Sequence, residues 1–83
     1  MAKIIVYSKV PCPYCVSAKR FLENRGLEFQ EIDLTDHPDE MIKMKQKWGW
    51  STFPIIIIND QCIGGYQDMK ALEEDGKLES LLK

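Results

Sequence analysis

Neither sign of charge dominates this sequence, and that absence removes several kinds of protein at once. Its 83 residues hold 11 lysines and arginines against 13 aspartates and glutamates, a net charge of −2. A nucleic-acid binder of this size carries a basic excess or a basic stripe, and the sequence has neither. No apolar run approaches the roughly 20 residues that a spanning helix needs, so no membrane role is expected. The opening MAKIIVYSK has a short apolar burst without a small-residue cleavage pattern. No signal peptide is therefore expected, and a reducing cytoplasm is the expected setting. Cysteine is scarce and odd in number: three residues cannot close a disulfide framework, which argues against a small secreted scaffold. There is a single histidine, no second Cys-x-x-Cys, no repeat and no linker. The length leaves room for one domain, residues 1–83, with a modest core.

What is present is a run of short, well-punctuated elements. KIIVY, residues 3 to 7, is a continuous apolar run and reads as a strand covered on both faces. Pro13 suits the first position of a helix, where a missing N–H costs nothing. Cys15, Ala18 and Leu22 then recur at helical spacing until Gly26 closes the segment. EFQEIDL, residues 28 to 34, mixes apolar and charged positions like a strand near a sheet edge. DHPDE has the chemistry of a helix start, and Met41, Met44 and Trp48 follow as one apolar stripe. Residues 55 to 59, IIIIN, are the most strongly strand-like. Asn59-Asp60-Gln61 makes a turn, Cys62 and Ile63 begin a fourth strand, and Gly64-Gly65 end it. Met69 and Leu72 begin a last helix that Gly76 breaks before Leu78, Leu81 and Leu82 resume. The first two strands, joined through a helix, should be parallel. The last two, joined by a tight turn, should be antiparallel. The expected architecture is a small mixed sheet with helices on both faces.

The chemistry centres on VPCPYC, residues 10 to 15. Cys12 falls at the N-cap of the first helix, where a side chain accepts the free N–H groups of the first turn. A thiolate can take that role, and the helix dipole favours its charge. Cys15 lies one turn inside the helix, on the same face. The spacing thus separates an exposed, acidified nucleophile from a shielded resolving partner. A thiol pKa lowered from about 8.5 to about 5 raises the thiolate fraction at neutral pH roughly 30-fold. Reduced nucleophilicity offsets that gain by about the same factor. The clear benefit comes when Cys12 is the leaving group from a mixed disulfide. A permanent Cys12–Cys15 bridge is disfavoured by cellular thiols. A closed zinc site needs four ligands, and only Cys62 and His37 remain, the first expected as a packed residue and the second in a solvated loop.

CPYC after the first strand, TFP at the entry to the third and GGYQD after the fourth resemble a dithiol glutaredoxin, over essentially the whole chain. The resemblance implies an α/β thioredoxin-like fold: a four-stranded mixed sheet flanked by three or more helices, in the order β-α-β-α-β-β-α. It implies glutathione-dependent reduction of protein disulfides and protein–glutathione mixed disulfides, with Cys12 and Cys15 catalytic, glutathione as reductant and no metal. It further implies a cis Pro54 facing the cysteines, and a Phe53 backbone that receives the cysteine part of glutathione as an added strand. Lys9 and Tyr14 would border the glutathione groove, a residue near Gln46 would help hold the glycine carboxylate, and Gln67 and Asp68 would take the γ-glutamyl end. Glutathione is a small anion with one amine, so a lysine, two helix N-termini and a carboxylate complement it. Without the resemblance, Lys9 reads as a solvated loop lysine and Asp68 as a helix cap. The implied partners are glutathione and disulfide-bonded or glutathionylated proteins, ribonucleotide reductase among them, met by a monomer.

Phe53 stands where that family commonly has valine, and Tyr66 and Gln67 where it commonly has a small or acidic residue. WGWSTF, residues 48 to 53, also resembles redoxins that thioredoxin reductase reduces and that serve ribonucleotide reductase. A further alternative is an iron–sulfur carrier in which Cys12 of two chains and two glutathiones hold a cluster. Pro13 and the second active cysteine weigh against that alternative.

Overall fold

Four consecutive isoleucines, Ile55 to Ile58, set the architecture. β-Branched side chains fit a pleated strand, and successive residues point to opposite faces. All four can be buried only if both faces of their strand are covered. The computed structural model, which describes residues 2–82, has that arrangement, with none of the four more than 1% exposed. Each contributes roughly 1.5–3 kcal/mol by burial, which makes this strand the main apolar anchor of the chain.

In chain order the elements are β1 (Ile4–Ser8), α1 (Pro13–Asn24), β2 (Gln30–Asp33), α2 (Pro38–Trp48), β3 (Ile55–Ile58), β4 (Gln61–Gly64), α3 (Tyr66–Glu74) and α4 (Leu78–Leu82). The sheet order is β2-β1-β3-β4. β1 runs parallel to β2 and antiparallel to β3, and β3 runs antiparallel to β4. On one face, Ile56 and Ile58 pack with Ile4, Val6, Ala18 and Leu22, and with Met69 and Leu78 from the last two helices. On the other, Ile55 and Ile57 meet Cys15, Leu34 and Phe53 beneath the α2 stripe of Met41, Met44 and Trp48.

The expected fold class holds, with local differences. β1 is fully buried only through Ile4, Val6 and Ser8, while Ile5 and Tyr7 are half-buried. Both belong to the face covered by α2 and pair with β2, the edge strand. β2 lies at the sheet edge as expected but is shorter than residues 28 to 34. The last helical segment is two helices. Gly76 adopts φ +70° and the Lys77 N–H reaches back to the Leu72 carbonyl, which ends α3. Among the described residues no helix is long and apolar enough to cross a membrane.

Two features of the sheet position the site. Tyr7 and Ile55 are partners in the β1–β3 ladder, so the segment leaving β1 and the segment entering β3 emerge side by side. Between β3 and β4, Asn59 and Asp60 both have positive φ, 49° and 68°, the geometry of a tight hairpin turn. The ladder then slips: Ile57 faces Cys62 and Ile56 faces Gly64, so Ile63 is an extra residue. Such a bulge re-aims the chain, here just before Gly65 and the start of α3.

Candidate active site

The segment after β1 carries the cysteines and is fixed from behind. The Val10 N–H donates to Thr35 Oγ1 at 2.9 Å, and the Thr35 N–H donates to Asp33 Oδ1 at 2.9 Å. The Thr35 hydroxyl also donates to that oxygen, and these bonds hold the Asp33 carboxyl below the usual carboxylate range. Buried Ser8 donates to Glu31 Oε2 at 2.7 Å, and Lys19 from α1 reaches the same oxygen at 2.8 Å. Thus β1, β2 and α1 are tied together immediately behind the reactive loop.

Cys12 is the N-cap of α1, with Pro13 as its first helical residue. The Cys15 N–H donates to Cys12 Sγ at 3.2 Å. Cys12 is half-buried and Cys15 is 1% exposed. The two form a disulfide, with their Cα atoms 5.2 Å apart. The expected asymmetry between an accessible and a shielded sulfur is therefore present. The first turn of α1 contains no acidic residue, so nothing on the helix opposes a negative sulfur at its start.

Across from the couple, Cys12 Sγ lies 3.7 Å from the Phe53 carbonyl oxygen. The Phe53–Pro54 peptide is cis, as expected, and so is Val10–Pro11, which was not foreseen. Among the described residues no hydrogen bond forms to the Phe53 N–H. Beyond Phe53 opens a cleft of about 180 Å³ whose walls include Tyr14, Phe53, Pro54, Gln67 and Asp68, together with Trp50, Thr52, Gly65 and Tyr66. Its outer flank is aromatic: Tyr14 and Tyr66 stack with ring centroids 6.3 Å apart, and Gln67 Nε2 donates to Tyr14 Oη at 3.4 Å. Its far end is the N-terminus of α3. There Asp68 Oδ2 accepts the Gly65 N–H at 3.0 Å, so the carboxylate does cap its helix while it faces the cleft. Gly64, at φ +102°, admits no side chain, since a Cβ there would stand 2.9 Å from both the Asp68 carboxyl and the Trp50 ring.

Of the residues expected from sequence, Lys9 and Gln46 are exposed and lie outside the cleft walls. Lys45 was missed. Its ammonium stands 5.5 Å from the centre of the Phe53 ring. Helical phase could have found it, because Lys45 follows Met41 by four residues and precedes Trp48 by three. Trp50 and Tyr66 were also missed as cleft walls. Among the described residues, none is a hydrogen-bond partner of the buried Trp50 Nε1 atom. Cys62 is half-buried against the Ile55–Ile57 face, in keeping with a packed residue, and His37 is exposed. A larger hollow of about 400 Å³, bounded by Ala2, Ile4, Leu27 and Leu82, contains no thiol.

A thioredoxin-like sheet that carries an accessible and a buried cysteine at a helix start, beside a cis proline, is the site of a thiol–disulfide oxidoreductase. Comparison with known proteins narrows this class. The glutaredoxin family model matches residues 4–63, and the chain belongs to the glutaredoxin family. It is 40% identical to glutaredoxin 3 of Escherichia coli over the full length of both chains. The solution structure of glutaredoxin from Brucella melitensis matches with a TM-score of 0.87 and 44% identity, covering 100% of this chain and 90% of that one. A buckwheat glutaredoxin–glutathione complex matches with a TM-score of 0.87 and 30% identity, covering 95% of this chain and 74% of that one.

Proposed function

We propose that this chain reduces protein disulfides and protein–glutathione mixed disulfides, with glutathione as the reductant. The observation that carries the proposal is the adjoining of Cys12 Sγ, the Phe53 backbone and a cleft that ends at a helix N-terminus. Support comes from the buckwheat relative, which is described in complex with glutathione.

Glutathione would lie along Phe53. Its cysteinyl backbone would pair with the free Phe53 N–H, which brings its sulfur to Cys12. The γ-glutamyl end would meet Gln67, Asp68 and the start of α3. Tyr14 would border the chain, and the glycine carboxylate would meet Lys9, Gln46 and Lys45. Val10, Tyr14 and Val16 are exposed at 67%, 54% and 45%, and flank Cys12 along the chain as apolar surface suited to a protein substrate.

In the monothiol cycle the Cys12 thiolate attacks the glutathionyl sulfur of a mixed disulfide. The target leaves as a thiolate and takes a proton from solvent. A second glutathione thiolate attacks the sulfur now held on Cys12, forming glutathione disulfide and releasing Cys12. With a protein disulfide, Cys12 instead becomes joined to one target sulfur. The Cys15 thiolate then attacks Cys12 Sγ, frees the target and leaves the Cys12–Cys15 disulfide, which two glutathiones reduce. Release of Cys12 is easy in both cycles because an acidic thiol is a good leaving group. We place this activity in the cytoplasm, on a monomer, with ribonucleotide reductase among the candidate targets.

The test supplies a glutathionylated peptide and a protein disulfide with either glutathione, glutathione reductase and NADPH, or thioredoxin reductase and NADPH. Turnover is expected with the first system. Turnover with thioredoxin reductase alone would replace this reading with the redoxin one.

A further inference from the structure

We infer that Trp50 is a specificity residue of the cleft, whose indole N–H donates to the α-carboxylate at the γ-glutamyl end of glutathione. This rests on the glutathione reading above and adds to it a donor that the reading does not assign.

The Trp50 ring lines the cleft, yet its Nε1 atom is buried and unpartnered. A phenylalanine would supply a similar apolar wall without leaving a donor unmet, and because Trp50 lines the cleft, a ligand held there is the partner within its reach. The surroundings identify that partner. Around the point where a side chain on Gly65 would begin stand the Pro54 carbonyl oxygen at 3.5 Å, Asp68 Oδ2 at 3.8 Å and Trp50 Nε1 at 3.8 Å. The same residues line the cleft, so two acceptors and one donor converge on its wall beside Gly65. An α-amino acid zwitterion lying against that wall would complement them, with the ammonium facing the oxygens and the carboxylate facing the indole. The N-terminus of α3, a nine-residue helix that begins at Tyr66, favours the same carboxylate. Reaching Nε1 takes a turn of the indole toward the cleft, to which part of the ring is already open. Trp48 provides an internal control, because its Nε1 is also unpartnered but its ring does not line the cleft.

The experiment uses S-methylglutathione, which has no thiol to react with the disulfide. It is titrated into the isotope-labelled chain while the two indole N–H resonances, assigned with Trp48→Phe, are followed. The Trp50 resonance is expected to move and its hydrogen exchange to slow, while that of Trp48 stays in place. In calorimetry, Trp50→Phe is expected to weaken S-methylglutathione binding about tenfold, or about 1.4 kcal/mol. An analogue in which γ-aminobutyrate replaces the γ-glutamyl residue keeps the amine and lacks the carboxylate, and should bind wild type and Trp50→Phe equally. An unmoved Trp50 resonance on a wild-type chain that binds the ligand overturns the inference and leaves the glutathione reading standing. Equal affinity of wild type and Trp50→Phe for S-methylglutathione does the same. Failure of wild type to bind S-methylglutathione at all overturns both. Should Trp50→Phe not fold, the wild-type resonances decide.

Discussion

The sulfur of Cys12 and the backbone nitrogen of Cys15 stand 3.2 Å apart, so that the second cysteine supplies the hydrogen bond that caps the first. The bond makes Cys12 part of the electrostatics of α1, whereas Cys15 is buried where a negative charge is poorly solvated.

Cys12 should therefore titrate below the free-thiol value of about 8.5. Its alkylation rate against pH in Cys15→Ser measures this directly. The thiolate form should persist at pH values where free cysteine is protonated, and a midpoint at the free-cysteine value would remove the helix-cap account.

Substrate should separate the two cysteines. Cys15→Ser should keep most activity on a glutathionylated peptide, lose most on a protein disulfide, and accumulate a mixed disulfide at Cys12 visible by mass. Cys12→Ser should lose both activities. Equal loss of both in Cys15→Ser would exclude the monothiol cycle for this chain.

Asn59 should be a stability residue remote from the chemistry. Its Oδ1 accepts the Lys3 N–H at 2.9 Å and its Nδ2 donates to the Leu81 carbonyl at 2.8 Å, joining the start of β1 to α4. Asn59→Ala should cost about 1–3 kcal/mol and lower Tm by roughly 4–8 °C for each kcal/mol, with Cys12 reactivity unchanged. Altered thiol reactivity in this variant would show coupling between the two ends that the structure does not contain.

Glu31 should shape the acid side of the stability profile. Its carboxyl lies below the usual range, first because Lys19 donates to it and then because Ser8 does. A lowered folded pKa means that the stabilisation is present above the ordinary glutamate range and is lost as pH falls through that range to the folded value. The carboxylate is partly open to solvent, so the contribution is modest. Glu31→Gln should flatten the fall of Tm between neutral and strongly acid pH. An unchanged acid slope would show that the Lys19–Glu31 contact does not persist in solution.

Local chemistry wrote much of this structure plainly into the sequence. Pro13 and Gly26 bracket α1, the isoleucine run is the doubly covered strand, and Asn59-Asp60 turns the hairpin because both positions need positive φ. The nucleophile was legible for the same reason, since an N-cap is defined by its neighbours along the chain. Residues placed by tertiary approach were not. Trp50 meets Gly64 beside the bulge at Ile63, and no periodicity records that encounter. In the sequence Tyr66 reads as a departure from the family pattern, and its place as a wall follows from the stack with Tyr14, 52 positions earlier. Gln46 and Lys45 differ by one residue, or about 100° around a helix, and it is the fold that sets the Lys45 ammonium beside the Phe53 ring while Gln46 is exposed.

The reactive couple lies within the first fifteen residues, while the opposite walls of the cleft come from residues 50 to 68. The β1–β3 ladder is what brings those two tracts together. The reactive sulfurs and most of the cleft wall are thus carried on separate stretches of chain, aligned by a sheet register and touching through Phe53 and Tyr14. The later stretch could drift, or be transplanted from a relative, and redirect the enzyme to another thiol without altering the acidity of the sulfur that attacks it.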